Sequence, residues 1–518
     1  MTLSHYFDQR PRLLSGALAS VLLLCSAPAN AVPGLLDAST QTALARGLRP
    51  TVIPLDEPLP QWSLQERMLH HRIPGVAIAV LRDGKVVHSA GYGLLEAGTN
   101  AAVDADTLFS VGSVSKVVAA ATTLGLVENG TLELDRDVND YLSSWQVPAS
   151  TEAADSVVTL RMLMSHTSGL NVHGFADYLP KEDLPTLVQV LEGTAPAKNQ
   201  AVRLIRPPGE RGDYSGGGVM VEQLVLENAT GEPLESVARE LVFDPLDMHR
   251  STFASPLPAG TPNVAKAHDE NGATTALPRG WESFPEQAAS GLWTTGNDLA
   301  AFVAGLIDSY RGDGQFLHKS LAVQMMTEVS PSWHGLGPRL DGAGERRIFH
   351  HGGSNDSYRA WIEGYLETGD GFVILTNGAN GGALTTEIRN ALSDSIGVGV
   401  NPPIRTIALD MRAPSYVDYT GIFDADPMVP MDHRRALADI FDVEALEVRI
   451  ANGRLSAGVP GRNRVSPLQP VAPNRFVLPD LDALQVEFHR NALGEVSSLS
   501  VEHGAAKMRY RRRQPSGP

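Results

Sequence analysis

Residues 109–130 read FSVGSVSKVVAAATTLGLVENG, and the fold turns on how this stretch is read. Val117, Ala120, Ala121, Leu124 and Val127 recur at helical spacing, and Asn129-Gly130 supplies a C-terminal stop. The segment Ser113 to Glu128 is therefore predicted to be a largely buried helix. At its start stands Ser113-Val114-Ser115-Lys116. Three residues make nearly one helical turn, so the Ser113 hydroxyl and the Lys116 amine project to one side within hydrogen-bond reach. That pairing sets a nucleophile beside a base able to take its proton. A four-residue S-x-x-K pattern can arise by chance in a long chain. Among the lysines at 85, 116, 181, 198, 266, 319 and 507, however, only Lys116 has a serine three positions before it, and that serine sits at a helix start.

Outward from this helix the pattern alternates between short strands and helices. Gly75 to Val80 and Val86 to Tyr92 are apolar or β-branched runs separated by Arg82-Asp83-Gly84-Lys85. Asp-Gly supplies the positive φ of a tight hairpin turn. Helical patterns recur near Gly218 to Asn228, Ser236 to Val242 and Asn297 to Ile307, and Gly371 to Thr376 (GFVILT) reads as a fully buried strand. After the proline-bearing stretch from Asn401 to Pro414 the pattern changes. Leu446 to Ile450, Arg475 to Leu478, Leu484 to His489 and Val496 to Glu502 are strand-like runs between turn signals, so a small all-β domain is expected to end the chain. The closing Arg509-Tyr510-Arg511-Arg512-Arg513 reads as a solvated strand end.

The chain has 518 residues, enough for two to four domains of roughly 150 residues each. With 42% hydrophobic and 19% charged residues and a single cysteine, Cys25, it has neither a disulfide framework nor a cysteine metal cage. A net charge of −17 opposes binding to a phosphate backbone, so no nucleic-acid partner is expected. Arg10 and Arg12 precede an apolar stretch from Leu13 to Leu24, and Ala29-Asn30-Ala31 gives an A-x-A site. This predicts a signal peptide cleaved after Ala31 and a periplasmic or secreted protein. Lipid anchoring at Cys25 is disfavoured, because Leu24 stands where a small residue is needed. No later stretch approaches the ~20 apolar residues of a spanning helix, so no integral membrane segment is expected after cleavage.

Other hydrolase signatures are missing. The sequence holds no G-x-S-x-G elbow, no H-E-x-x-H helix and no phosphate-binding G-x-x-x-x-G-K-[ST] loop. His70-His71 and His350-His351 have no carboxylates at ligand spacing, and neighbours on a strand point apart, so no metal is expected. Ser165-His166 and Ser168-Gly169 look reactive, and Trp293 is read as pocket wall or core.

Three motifs in fixed order carry a resemblance: the tetrad in FSVGSVSK, Tyr214-Ser215-Gly216 in RGDYSGGGVMVEQLVLENATG, and His351-Gly352-Gly353 in FHHGGSNDSYRAW. Together with the phrases LRMLMSHTSGL, FDPLDMHRSTF, SGLWTTGNDLAAF and GFVILTNG, the chain from Ile73 to Ile396 resembles the serine β-lactamase and penicillin-recognising hydrolases. Within them it is most similar to the branch of class C β-lactamases, D,D-peptidases and family VIII esterases. The resemblance implies an α+β fold with an antiparallel sheet flanked by helices and a helical subdomain, over residues 32–400. Residues 413–518 would be the C-terminal all-β, barrel-like domain, and residues 1–31 the signal peptide.

The resemblance also implies roles. Ser113 would be acylated and Lys116 would activate it, while Tyr214 would relay protons and help water attack the acyl-enzyme. His351, where the family often has lysine, would donate a hydrogen bond or a positive charge near a substrate carboxylate or the Tyr214 oxygen. The backbone N–H groups of Ser113 and Ser354 would form the oxyanion hole, and Gly216, Gly352 and Gly353 would line the substrate. No cofactor is implied. Gly216 replaces the family's asparagine, which holds the amide of a β-lactam or peptide. The expectation is therefore a hydrolase of small-molecule or peptide-like acyl substrates, an esterase or D,D-peptidase rather than an efficient β-lactamase. The same replacement leaves open a non-catalytic relative that binds cell-wall peptides or regulates a partner.

Overall fold

The computed structural model describes residues 37–149, 157–179, 182–275, 284–407, 414–429, 444–463, 465–479, 484–503 and 506–514. The expected signal segment, Cys25 and the Ala31 cleavage site lie outside them. The chain divides into two compact units. One comprises Ala31–Pro50 with Leu59–Pro402, and the other takes Thr51–Pro58 together with Pro403–Pro518.

The first unit is built on the hairpin. Strands Gly75–Arg82 and Lys85–Gly93 pair antiparallel across Asp83 (φ 46°) and Gly84 (φ 73°), the left-handed pair that a tight two-residue turn requires. The sheet continues antiparallel through Gly371–Thr376, Arg359–Tyr365, Ile348–Ser354 and the short Arg339–Asp341. Alternation along the central strands feeds two cores. Val76, Ile78, Val80, Phe372 and Ile374 face helices Ala38–Arg46, Leu64–His71 and Gly381–Ile396. Ala77, Ala79, Leu81, Val373 and Leu375 face the larger core, which holds Gly296–Arg311 and the helical region. Burial on both faces explains why Phe372 to Leu375 is apolar without a break.

The helix anticipated from residue 113 begins as a 3-10 turn, Gly112–Val114, and becomes α-helical over Ser115–Glu128. Gly112 takes a left-handed φ of 50°, which tightens the entry and swings Ser113 out of the helix proper. Eleven of the fourteen helical residues, Lys116 among them, are buried, as expected of a helix apolar on every side. The second central helix, Gly216–Thr230, is also enclosed over its first eleven residues. The pattern near Ser236 to Val242 resolves differently: Leu234–Ala238 is a short helix, and Arg239–Phe243 widens into a π turn closed by Asp244 N–H to Arg239 O.

The second unit is a nine-stranded antiparallel sheet. Its order runs Val465–Pro467, Arg454–Gly458, Ala445–Ala451, Gly421–Ala425, Ala506–Arg512, Val496–His503, Leu484–Arg490, Arg475–Leu478, Gln469–Ala472. The two end strands are joined through Leu468 alone, so the sheet curls into a nearly closed barrel. Tyr419, Phe423, Phe476 and Phe488 fill it edge to face. In the basic run at the chain's end, Arg511 and Arg513 pair with Asp426 and Asp424.

Candidate active site

Ser113 lies in the 3-10 turn, half-buried, with Lys116 one turn further on and 3% exposed. Lys116 Nζ donates to Ser113 Oγ at 3.1 Å and to the Ala289 carbonyl at 2.7 Å. The second bond matters, because a lysine has four flexible carbons and needs two anchors to be held on its serine. Ser115 fastens the turn from the other side: its hydroxyl donates to Gly112 O at 2.6 Å and accepts from Leu292 N–H at 3.0 Å. The segments after Gln287–Ser290 and around Gly112 are thereby locked together.

Tyr214 stands one residue before Ser215, the N-cap of Gly216–Thr230. The Ser215 hydroxyl accepts from Gly218 N–H (2.8 Å) and donates to Asn171 O (2.8 Å). Lys116 Nζ sits 5.0 Å from the centre of the Tyr214 ring. Histidines crowd the same ring, with His166 at 4.3 Å, His173 at 4.9 Å, His334 at 6.0 Å and His351 at 6.2 Å between centroids. His166 belongs to the Ser165–Gly169 turn and has φ 60°. Its Nδ1 accepts from Ser215 N–H at 3.2 Å and its carbonyl from Asp213 N–H at 2.8 Å, so this turn holds the Tyr214 backbone from both sides.

The third side is the strand Ile348–Ser354. Arg339–Asp341 pairs only with its first three residues, which leaves the edge from His351 to Ser354 uncovered by that neighbour. Here glycine is obligatory. A Cβ on Gly353 would lie 1.8 Å from Val111 O and 3.2 Å from Ser113 N, and one on Gly112 would lie 2.8 Å from Ser354 N. The Ser113 turn and the strand edge touch through bare backbone, which brings the neighbourhoods of Ser113 N and Ser354 N together. Gly352 lies under the Trp361 ring, with its Cβ position 3.2 Å from that ring.

His351 departs from expectation. Its Nδ1 lies 2.7 Å from the Gly352 carbonyl, which can only accept, so Nδ1 carries the proton and Nε2 presents a lone pair. Nε2 is buried with no partner among the described residues. Burial first, then Arg339, His334 and Lys116, hold His351 well below the ordinary histidine range. Burial and these neighbours disfavour the positive charge expected at His351, and its Nδ1 hydrogen bond goes to the Gly352 carbonyl. The fixed cation is Arg339, whose guanidinium carbon lies 5.6 Å from the centre of the Tyr214 ring and 5.7 Å from that of Trp333. His350 points the other way and stacks on Trp361 at 5.1 Å. Among the described residues no group of three His, Cys, Asp or Glu is placed to hold a metal ion.

Gly216 is the first helical residue, buried, and a Cβ there would meet Phe175 at 2.9 Å and the His173 carbonyl at 3.1 Å. The loop 173–175 occupies the space an asparagine side chain would need. Trp293 is buried against Tyr358, as core. Sequence reading singled out neither Arg339 nor His334. Each stands in a loop or strand end without periodicity or motif, and only the Ser165-His166 turn carried a legible signal.

Comparison with known proteins agrees on the first unit. The sequence profile of the β-lactamase family matches residues 62–394. Penicillin-binding protein 4 of Amycolatopsis lactamdurans is 28% identical over 63% of this chain and 87% of its own length. Esterase EstB of Burkholderia gladioli is 28% identical over 59% of this chain and 76% of its own. The octameric penicillin-binding protein homologue from Pyrococcus abyssi superposes with a TM-score of 0.56, at 20% identity, over 86% of this chain and 98% of that one, a likeness of fold.

Proposed function

The chain belongs to the β-lactamase family, and from that premise we propose that it is a serine hydrolase working through an acyl-enzyme on Ser113. The observation that carries the reading is Lys116 Nζ at 3.1 Å from Ser113 Oγ, pinned by its second bond to Ala289 O and set beneath the Tyr214 ring. Ser113 Oγ attacks the substrate carbonyl carbon and its proton passes to the Lys116–Tyr214 pair. The carbonyl oxygen, now anionic, accepts from the N–H groups of Ser113 and Ser354. Collapse breaks the bond to the leaving group, which takes the proton back from that pair. Water then attacks the acyl carbon, giving its proton to the same pair, and Ser113 leaves with a proton restored. His351 Nε2 serves as an acceptor in this network rather than as a charge.

The substrate class follows from what position 216 lacks. With Phe175 and the His173 carbonyl in the space of an amide-holding side chain, esters and small peptide-like acyl compounds suit the site better than β-lactams. The N-terminal pattern of charge, apolar run and A-x-A site supports export to the periplasm or beyond. The test is hydrolysis of a short-chain p-nitrophenyl ester beside a chromogenic cephalosporin, by the protein and by Ser113→Ala, with the acylated peptide located by mass spectrometry. Ester turnover that disappears in Ser113→Ala, with an adduct on the peptide holding Ser113, is expected. An adduct without turnover would instead favour a binding protein.

A further inference from the structure

The carbonyl that anchors Lys116 belongs to a helix of a single turn. Gln287–Ser290 has four residues, closed by Ser290 N–H to Glu286 O at 2.9 Å and by Gly291 N–H to Gln287 O at 2.8 Å. So short a helix has little cohesion of its own. Its N-cap, Glu286, gives it no side-chain capping bond. The last carbonyls of a helix have no partners inside it, which leaves Ala289 O open to Lys116 Nζ at 2.7 Å. A carbonyl holds a flexible lysine only as firmly as the turn that carries it is held.

The hold comes from Gln223. This side chain is 3% exposed and stands in the middle of Gly216–Thr230, the helix that starts beside Tyr214. Its Oε1 accepts from Ala288 N–H at 3.0 Å, which supplies from another helix the bond that Glu286 does not make. Its Nε2 donates to Gln287 Oε1 at 3.0 Å and to Glu227 Oε1 at 2.9 Å. One amide thus grips two successive residues of the turn, immediately before Ala289. Its orientation is fixed, because a backbone N–H can only donate and so must meet the amide oxygen. The partners are fastened as well: Glu227 Oε1 also accepts from Leu234 N–H at 3.2 Å, and Gln287 Nε2 donates to Phe253 O at 2.8 Å. A buried amide costs free energy unless it is paired, and here both of its ends are spent on this turn and on Glu227.

We propose that Gln223 is a positioning residue for the reaction: it holds the turn 287–290 so that Ala289 O keeps Lys116 on Ser113, in one frame with the helix that carries Tyr214. It acts through Ala289 and Lys116, not on the substrate. The inference rests on the acyl-enzyme reading above, and single-turnover acylation of the full chain by p-nitrophenyl acetate tests it. Gln223→Leu keeps the bulk and removes the grip. It is expected to slow maximal acylation by about tenfold while the half-saturating concentration moves by less than about twofold. In a Lys116→Ala background the same substitution is expected to cost less than about twofold, because the anchor then has nothing to hold. A loss just as large without Lys116, or a folded Gln223→Leu that acylates at the parent rate, overturns the role. Gln223→Glu serves if Gln223→Leu does not fold. It keeps an acceptor for Ala288 N–H, but its carboxyl meets that of Glu227, and two carboxylates in contact cannot both ionise freely. It is therefore expected to acylate near the parent rate at pH 6, where the pair shares a proton, and to fall several-fold behind the parent by pH 8. A ratio to the parent that stays flat across that range also overturns the role. A parent that forms no adduct on Ser113 fails the hydrolase reading, and the role of Gln223 with it.

Discussion

Two sides of one site differ in how they are built. The side proposed to make the bond, Ser113 and Lys116 with Tyr214, stands at the beginnings of two buried helices, and the spacing from Ser113 to Lys116 is set within a single turn. The charged surround, with Arg339 near Tyr214, is assembled from strand ends and loops. The first is fixed by local geometry and tolerates no change. The second is fixed by which segments happen to meet.

The largest effect should come from breaking the first side. Lys116→Ala is expected to lower kcat/KM for ester substrates by on the order of a thousandfold, because Ser113 then has no base beside it. Steady-state rates decide it, and activity within about tenfold of the parent would remove Lys116 from the mechanism. Next comes the junction between the two. Gly353→Ala drives a Cβ against Val111 O, so the nucleophile turn and the strand edge must part. The expected loss is roughly a hundredfold in kcat, with about 1–3 kcal/mol of stability. Thermal melting and kinetics together check this, and an unchanged kcat would mean that the two backbones need not touch.

Arg339→Met probes the charged surround. It should cost about tenfold in kcat/KM. It should also raise the His351 pKa toward the ordinary histidine range, since Arg339 is the largest charge holding it down after burial. The sign follows: His351 would then take up a proton at higher pH, lose its acceptor lone pair, and shift the acid limb of the pH–rate profile upward. A profile whose acid limb stays in place would detach His351 from the reaction.

The smallest effect concerns stability alone. Glu222, fully buried and accepting from Thr123 Oγ1 at 2.8 Å, is pushed up to about 8 by burial. Between its unfolded value of 4.5 and about 8 the folded chain holds a proton that the unfolded chain has released, so stability falls as pH rises through that window. Glu222→Gln keeps the shape without the titration. It is expected to flatten that slope and to gain on the order of 1 kcal/mol or more at pH 8. Denaturant unfolding at pH 5 and pH 8 measures it, and equal slopes in parent and variant would contradict the assignment.

By itself the sequence determined the parts whose geometry is local. An Asp-Gly pair forces the hairpin turn, Ser113 and Lys116 meet because three residues span nearly one helical turn, and Phe372 to Leu375 is apolar throughout because both its faces are covered. The order of the three motifs sufficed to place the chain among the penicillin-recognising hydrolases. Only the tertiary structure decided the charges. His351 reads as a substitute cation, yet burial and then the Arg339, His334 and Lys116 side chains, which come from elsewhere in the chain, disfavour a charge there. Arg339 carries no motif. Coulomb and desolvation energies act through space at a few ångströms, and no spacing along the chain records which loops will meet at that distance.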